Sequence, residues 1–549
     1  MDVIKPFLNL FKTIKTALTI LYALYQDYSK VIAQANSLPG LPAPNPTSSY
    51  WQDDPPYPEL VDIRSPGGPP ATADIVIIGS GITGVAVART VLREWRRTGR
   101  LDADGGEKEP PRVVVLEARK LCSGATGRNG GHIKASLHES FQWMVGVRGM
   151  SRERAAAICA FQYCHLDALV DVARAEGIEE VSECRRVETV DFSVDEETDE
   201  RMKKMMEEFK PYAPEGFHMA GHTAEQAREK FKVNERVVGA VSFPAGAIFP
   251  YRFVTSLWKK LLDEFPELLS IETGTAVERV EVVDDQDTTS TNEKDSSNYP
   301  YVVSTSRGRV LTRHVVHATN AFTSQLVPGL RGKGTAGLCH MTAQKAGAYF
   351  PDKDGSRSWS VIYGQGFDYI TQRPSGELMV GGGFFRGPKQ GMDMFGIYDD
   401  SRLDTLTLMH LEGVMPAVFD PGYEVEGEAR RTIKAWSGAI GISPDLMPLV
   451  GRLDPRITSR KVKSKRDEGV NEPVEPGEWI AAYFCGDGMA WAWLCGTALG
   501  IMLAGTEGQD LPAEPGRPGG RLAEWFPQEL YASWERVKDM DISDLADAL

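Results

Sequence analysis

The sequence predicts a mixed α/β protein, α+β overall. A parallel-sheet half built from discontinuous segments is joined to an antiparallel-sheet half. Three observations predict it. A strand, a glycine turn, a helix and a second strand succeed one another from residue 74. Short apolar strands separated by turn residues cluster between 342 and 381. Beyond 479 the chain returns to one strand followed by one long apolar helix.

The bulk numbers narrow the class of partner more than the fold. The 549 residues allow a sizeable core, and 42% of them are hydrophobic, as in ordinary globular chains. A formal net charge of −15 excludes nucleic acid as the main partner, because phosphate binding wants a basic surface. The seven cysteines are odd in number and contain no C-x-x-C pair, so neither a disulfide framework nor a zinc site is indicated. A reducing intracellular compartment, the cytoplasm, is expected.

Taken in order, residues 1–35 read as an amphipathic helix. Lys5, Asn9, Lys12, Thr16, Gln26, Asp27 and Lys30 share one face, opposite Phe7, Leu10, Ile14, Leu18, Leu21, Tyr25 and Ile32. Its apolar runs are too short to span a bilayer. It docks on the protein's own surface, lies on a membrane as a peripheral contact through residues 3–32, or dimerises. Residues 36–70, rich in proline, serine and glycine, form an extended linker or wrapping arm.

Strands are predicted at 74–78 and 112–117 around a helix at 82–96. Helices at 152–176 and 199–209 precede strands at 186–192, 276–283, 301–306 and 310–318. The polar tract 284–298 is read as a hairpin loop, and 96–111 as a surface insertion. Further strands fit 342–350, 359–363, 368–373 and 377–381, then a helix at 401–414. A charged loop at 459–478 precedes the last strand, 479–484, and the last helix, 489–503.

The stretch DIVIIGSGITGVAVA carries Gly79, Gly81 and Gly84 at G-x-G-x-x-G spacing between a strand and a helix. The three glycines supply a tight turn, room for a pyrophosphate, and close helix–strand packing. The helix opening with Ile82 and Thr83 points its free N–H groups at the phosphates. The second strand ends in Glu117, placed to accept hydrogen bonds from a ribose. This Rossmann-like fingerprint does not by itself separate NAD from FAD.

The residues after Glu117 do separate them. The run LEARKLCSGATGRNGGH resembles the D-amino-acid-oxidase-like family of FAD-dependent oxidoreductases, and its nearest branch resembles the γ-glutamylputrescine oxidoreductase-like proteins common in fungi. The pieces PNPTSSYWQ, GAIFPYRF, VVHATNAFTSQLVP, DYITQRPSGELMVGGG, WSGAIGISPDLMPLVG and CGDGMAWAWLCG agree with it, from about residue 41 to 526. The resemblance implies an FAD-binding domain from 71–145, 236–335 and 430–510. It also implies a substrate domain from 146–235 and 336–429, and a tail at 511–549.

It implies further that Ala118, Arg119, Ser123, Thr126, Arg128, Asn129, Gly130 and Gly131 lie along the flavin's pyrophosphate and ribityl chain. Small residues let a flat cofactor lie against backbone. Arg128 is alternatively a surface ion pair. Val277 is expected at the adenine, Ala318 and Thr319 near the cofactor, and Asp445 near the isoalloxazine edge. Gly486, Asp487, Gly488 and Met489 form a strand-to-helix turn whose N–H groups would stabilise charge on the flavin pyrimidine. Asp487 departs from the family pattern and is expected to turn outward or cap the helix. The proline–aspartate loop has no cysteine before it, so non-covalent FAD is expected.

On the substrate side the resemblance implies oxidation of an amine or amino-acid C–N bond, with oxygen reoxidising the flavin to give hydrogen peroxide. Tyr369 and Arg373 share a face in strand alternation and suit a carboxylate clamp, or else are an edge tyrosine and a surface arginine. His132 is a base, a flavin hydrogen-bond partner or a local structural histidine. Lys345 is a candidate oxygen-activating cation. Trp491 and Trp493 diverge by about 200° on a helix, so at most one joins an aromatic cage. The other readings are a dehydrogenase passing electrons to a carrier, and a non-enzymatic binding protein on the dinucleotide fold.

Overall fold

The computed structural model describes residues 4–101, 110–283, 299–347, 350, 354–364, 366–387, 389–419, 431–462 and 474–547. The tract 284–298 and parts of the 96–111 and 459–478 loops lie outside the described residues. Continuous apolar runs build the first sheet. Its parallel core runs Gly477–Ala482, Gly308–His317, Thr72–Ile78, Val113–Leu116, Leu269–Glu272. Strands of this kind are apolar on both faces because helices cover both. Ile77, Val115 and Val316 are fully buried.

Leu449–Arg452 adds antiparallel to one edge, and the hairpin of Val277–Val282 and Tyr301–Thr305 adds to Gly308–His317. Helix Ile82–Arg97 packs against helix Ala492–Ala504 through glycine. A Cβ on Gly496 would stand 2.8 Å from the Ala86 Cβ, and one on Gly500 would stand 2.6 Å from the Thr90 Cβ. The second helix is buried all round, which is why it reads as uniformly apolar.

Among the described residues the second sheet has nine strands. Its order is Thr432–Ile442, Thr335–Gln344, Leu378–Gly382, Gly366–Gln372, Arg357–Tyr363, Arg185–Ser193, Gly239–Ala247, and both His132–Ile133 and Ala220–Thr223 pair with the last of these long strands. All neighbours are antiparallel except Arg357–Tyr363 beside Arg185–Ser193. His132–Ile133, Gly239–Ala247 and Thr432–Ile442 fall within segments read from the sequence as the cofactor half, yet they pair here. The chain crosses between the sheets more often than its motifs suggest.

Two elements are displaced from expectation. The strand expected at 342–350 is Thr335–Gln344, and the helix expected at 401–414 is Thr405–Val418. Asp404 sets that helix start by accepting the Thr407 N–H at 2.8 Å.

The N-terminal helix is Ile4–Ala35. It does not dock along its length, since residues 11–25 are all exposed. Only its last turns touch the body, where the Thr335 hydroxyl donates to the Ala35 carbonyl at 2.9 Å and the Gln34 amide donates to the Phe395 carbonyl. The arm after this helix does wrap. Trp51, 1% exposed, donates from Nε1 to the Asn129 carbonyl at 2.6 Å, and Gln52 donates to the Gly127 carbonyl at 3.1 Å.

Candidate active site

A cavity of about 620 Å³ lies where the parallel strands end and the second sheet supplies the facing wall. Three strand ends deliver its floor: the turn after Thr72–Ile78, Ala318 and Thr319 after Gly308–His317, and the loop after Gly477–Ala482. This is the usual place for a ligand on an open α/β sheet.

Gly79 has φ +112, and a Cβ there would stand 2.5 Å from the Ala318 carbonyl oxygen. A Cβ on Gly81 would stand 2.8 Å from the Thr126 hydroxyl, which accepts the Ile82 N–H at 3.1 Å. The glycine loop is thereby tied to the start of the helix. Thr83 lines the cavity beside Ile82, and Gly84 lies behind them, its Cα closed against Gly79 and Ile77 as helix–strand packing requires. Glu117 faces the cavity and is held by the Ser80 N–H and hydroxyl and the Arg119 N–H, at 3.2, 2.6 and 3.0 Å.

Ala118, Arg119, Thr126, Arg128, Asn129 and Gly130 line the same space. Arg128 is no surface pair: it is 3% exposed and shares the buried Asp400 with Arg119. Two guanidiniums on one carboxylate leave a net positive charge beside the glycine loop, suited to a pyrophosphate. Val277, Gly486, Gly488 and Met489 also line the cavity.

Several expected residues lie elsewhere. Ser123 is buried under the loop, its hydroxyl without a hydrogen-bond partner among the described residues. Gly131, at φ +64, is where the loop turns into the second sheet. Its carbonyl accepts the Ile248 N–H at 2.9 Å, so it serves the turn rather than the cavity. Asp445 is 4% exposed and turned away, held by Arg536 at 2.8 and 3.0 Å. Its neighbour Leu446 lines the cavity instead.

Tyr369 faces the cavity with its ring against Gly130, where a Cβ would stand 2.5 Å from Cε2, and its hydroxyl donates to the Met341 sulfur at 3.1 Å. Arg373 does not join it. Strand Gly366–Gln372 ends one residue earlier, and Glu183 takes the guanidinium at 2.6 and 3.2 Å with the Tyr50 hydroxyl at 2.8 Å. Lys345 is exposed at the end of its strand and outside the cavity lining. Trp491 and Trp493 are core residues at 4% and 0% exposure. His132 is in the lining, 2.8 Å from the Ser358 hydroxyl, and burial with nearby Lys134 pushes its imidazole well below the usual range, so it is neutral.

Sequence reasoning missed a polar group around Asp487. Asp487 does not cap its helix, since it makes no side-chain cap hydrogen bond; it is exposed, and it lies in the cavity lining. Desolvation in the cavity pushes its carboxyl up to about 6. Glu139, on helix Leu137–Gly146, lines the same end, and its carboxylate makes no hydrogen bond or ion pair among the described residues. Burial first, then Asp191, pushes its carboxyl up to about 7; Lys134 and Arg201 oppose the shift and Asp487 adds to it. Lys134 is paired with Asp191 and donates to the Ser360 hydroxyl at 2.6 Å. Alternation from His132 would have found Lys134, two residues on. Cys485 also lines the cavity, its thiol pushed up to about 12 by burial, so it is not a ready nucleophile.

A flat dinucleotide fits this set: two glycines whose space a side chain would fill, an acid at the second strand's end, and an arginine pair sharing one carboxylate. The class so defined is a dinucleotide-binding oxidoreductase. The chain belongs to the FAD dependent oxidoreductase family, whose model matches residues 74–500, and FAD is its cofactor. No curated protein matches the sequence.

Solved structures share the fold at low identity. Glycine oxidase from Geobacillus kaustophilus is 16% identical with a TM-score of 0.54, covering 78% of this chain and 93% of that one. L-Proline dehydrogenase from P. horikoshii is 19% identical at 0.53, covering 79% and 93%. L-Amino acid deaminase from Proteus myxofaciens is 15% identical at 0.55, covering 81% and 93%.

Proposed function

We propose that the protein oxidises the C–N bond of a cationic amine to an imine, and that an amine without an α-carboxylate is preferred to an amino acid. The observation that carries this reading is the charge at the cavity's polar end. Glu139 and Asp487 present carboxylates, while every Arg and Lys among the described lining residues is already paired: Arg119 and Arg128 on Asp400, Lys134 on Asp191. Arg373, the expected carboxylate clamp, is held outside by Glu183. A substrate carboxylate would meet two acids and no spare cation.

Bound FAD supplies the hydride acceptor. The chain's part is to bind, orient and deprotonate. Glu139 and Asp487 attract the ammonium, and Glu139, titrating near 7, takes its proton at a carboxylate oxygen so that the neutral amine is presented. Tyr369 shapes the wall opposite Gly130, and neutral His132 offers a hydrogen bond without competing positive charge. The likeness of the glycine loop to γ-glutamylputrescine oxidoreductase-like proteins supports an amine, and the absence of a cysteine before the proline–aspartate loop supports non-covalent attachment.

Oxygen, giving hydrogen peroxide, is the first-choice electron acceptor. A carrier is the second, favoured by the position of Lys345 outside the cavity and the pairing of Lys134 with Asp191. All seven cysteines are unpaired, which supports a reducing compartment, the cytoplasm.

The deciding measurement is anaerobic bleaching of the flavin spectrum by a panel of mono- and diamines beside the matching amino acids. Bleaching by amines alone supports the reading, and bleaching by amino acids alone overturns it. Recovery of colour in air marks an oxidase; persistence of the bleached form marks a dehydrogenase.

A further inference from the structure

The N-terminal helix presents an apolar face that the body does not cover. Phe11 is 68% exposed, Leu18 62%, Leu21 61% and Tyr25 64%, with Ile14 on the same face. At about 1.5 Å per residue, the 32 residues of Ile4–Ala35 extend roughly 48 Å. The charge runs against the rest of the molecule. Lys5, Lys12 and Lys15 precede the helix's first acid, Asp27, in a chain whose net charge is −15.

The root of this helix is built into the cavity wall. Ala35 packs in one cluster with Phe395, Ile442 and Leu545, all three of which line the cavity. Lys389 reaches Asp27 at 3.3 Å. Four of the body's exposed apolar residues lie on segments linked to that root: Phe367 at 54%, Leu403 at 42%, Leu406 at 46% and Met409 at 66%. The links are close. A Cβ on Gly366 would stand 2.9 Å from Phe385, and one on Gly383 would stand 3.1 Å from Thr407. Phe367 and Phe385 also rim the cavity.

We propose that the helix lies in the plane of an anionic lipid bilayer, apolar face down and lysines at the headgroups, and that this brings the Phe367–Phe385 rim of the cavity to the lipid. An amphipathic helix with a cationic polar side binds in this way through buried apolar area and attraction to acidic headgroups. It does not cross the bilayer. Among the described residues only Arg152–Ala175 is long and apolar enough for that, and it is mostly buried in the protein. Two copies of this helix packed together would bring like-charged lysines close, whereas acidic headgroups attract those lysines, so lipid is the occupant that the helix's charge favours. The inference is independent of the substrate.

The test is sedimentation of the full-length FAD-loaded protein with vesicles of phosphatidylcholine alone, and with equal parts phosphatidylcholine and phosphatidylserine. Binding to the mixed vesicles is expected, weakening as salt rises. Lys12→Glu with Lys15→Glu lowers that affinity about tenfold or more. Leu18→Glu with Leu21→Glu abolishes binding and leaves the flavin spectrum and Tm unchanged, since both residues are exposed. No sedimentation, or equal binding by the leucine variant, overturns the proposal. So does a doubled mass in solution that the leucine substitutions halve, which would assign the face to a second copy.

Discussion

Glu139 makes a prediction with a definite sign. Its carboxyl, raised to about 7, is neutral below that pH and charged above it. The attraction for a cationic amine therefore appears as pH rises through about 7. In Glu139→Gln the rise in kcat/KM across that window is expected to disappear, with a loss of about tenfold or more at pH 8. Stability moves the other way. A raised carboxyl destabilises the fold progressively as pH rises from its unfolded value to about 7, fully above that, and has no effect once both states are protonated, so Glu139→Gln raises Tm at pH 8 and leaves it nearly unchanged at pH 4. Gly130 tests position rather than charge. A methyl there would meet the Tyr369 ring at 2.5 Å, and Gly130→Ala should lower kcat/KM about a hundredfold by displacing that wall, with little change in Tm.

At the scale of elements, the arm before the first strand acts as a clamp on the glycine loop. Trp51 fills space between Gly131 and Phe249, with its ring 4.6 Å from that phenyl, and Ala43 accepts from Arg119 at 3.2 Å. Trp51→Ala is expected to lower stability by about 3–5 kcal/mol and to weaken FAD retention, measured by denaturant unfolding and by flavin loss on dialysis. The legible elements were those with one strong pattern. The unit from Thr72 to Glu117 stands where its glycine spacing and apolar runs place it. Gly239–Ala247 is a covered strand and Thr432–Ile442 a half-covered one, both rich in glycine, alanine and serine, with no clear apolar–polar alternation in sequence to betray them.

The site divides in the same way. Glycines and acids answering a cofactor's phosphates and ribose sit at fixed offsets, whereas Glu139 reaches the cavity from helix Leu137–Gly146 and Asp191 holds Lys134 there from strand Arg185–Ser193, elements that only tertiary pairing brings together. Arg373 shows the opposite failure. Alternation put it on a face with Tyr369, but the strand stops at Gln372 and Glu183 takes the guanidinium instead.

For the whole molecule, the cofactor cavity draws on both sheets, the arm and the tail. Removing FAD should therefore lower the global Tm rather than loosen one half. At free FAD about a hundredfold above its Kd, the expected stabilisation is about 2.7 kcal/mol, read as a single cooperative transition that shifts with FAD concentration.

Leu41 and Leu545, near opposite ends of the described chain, line the same cavity. Its wall is therefore closed only when segments far apart in the chain have come together, and a variant in which Leu545 is replaced by aspartate is expected to hold its flavin less tightly, read as flavin lost on dialysis.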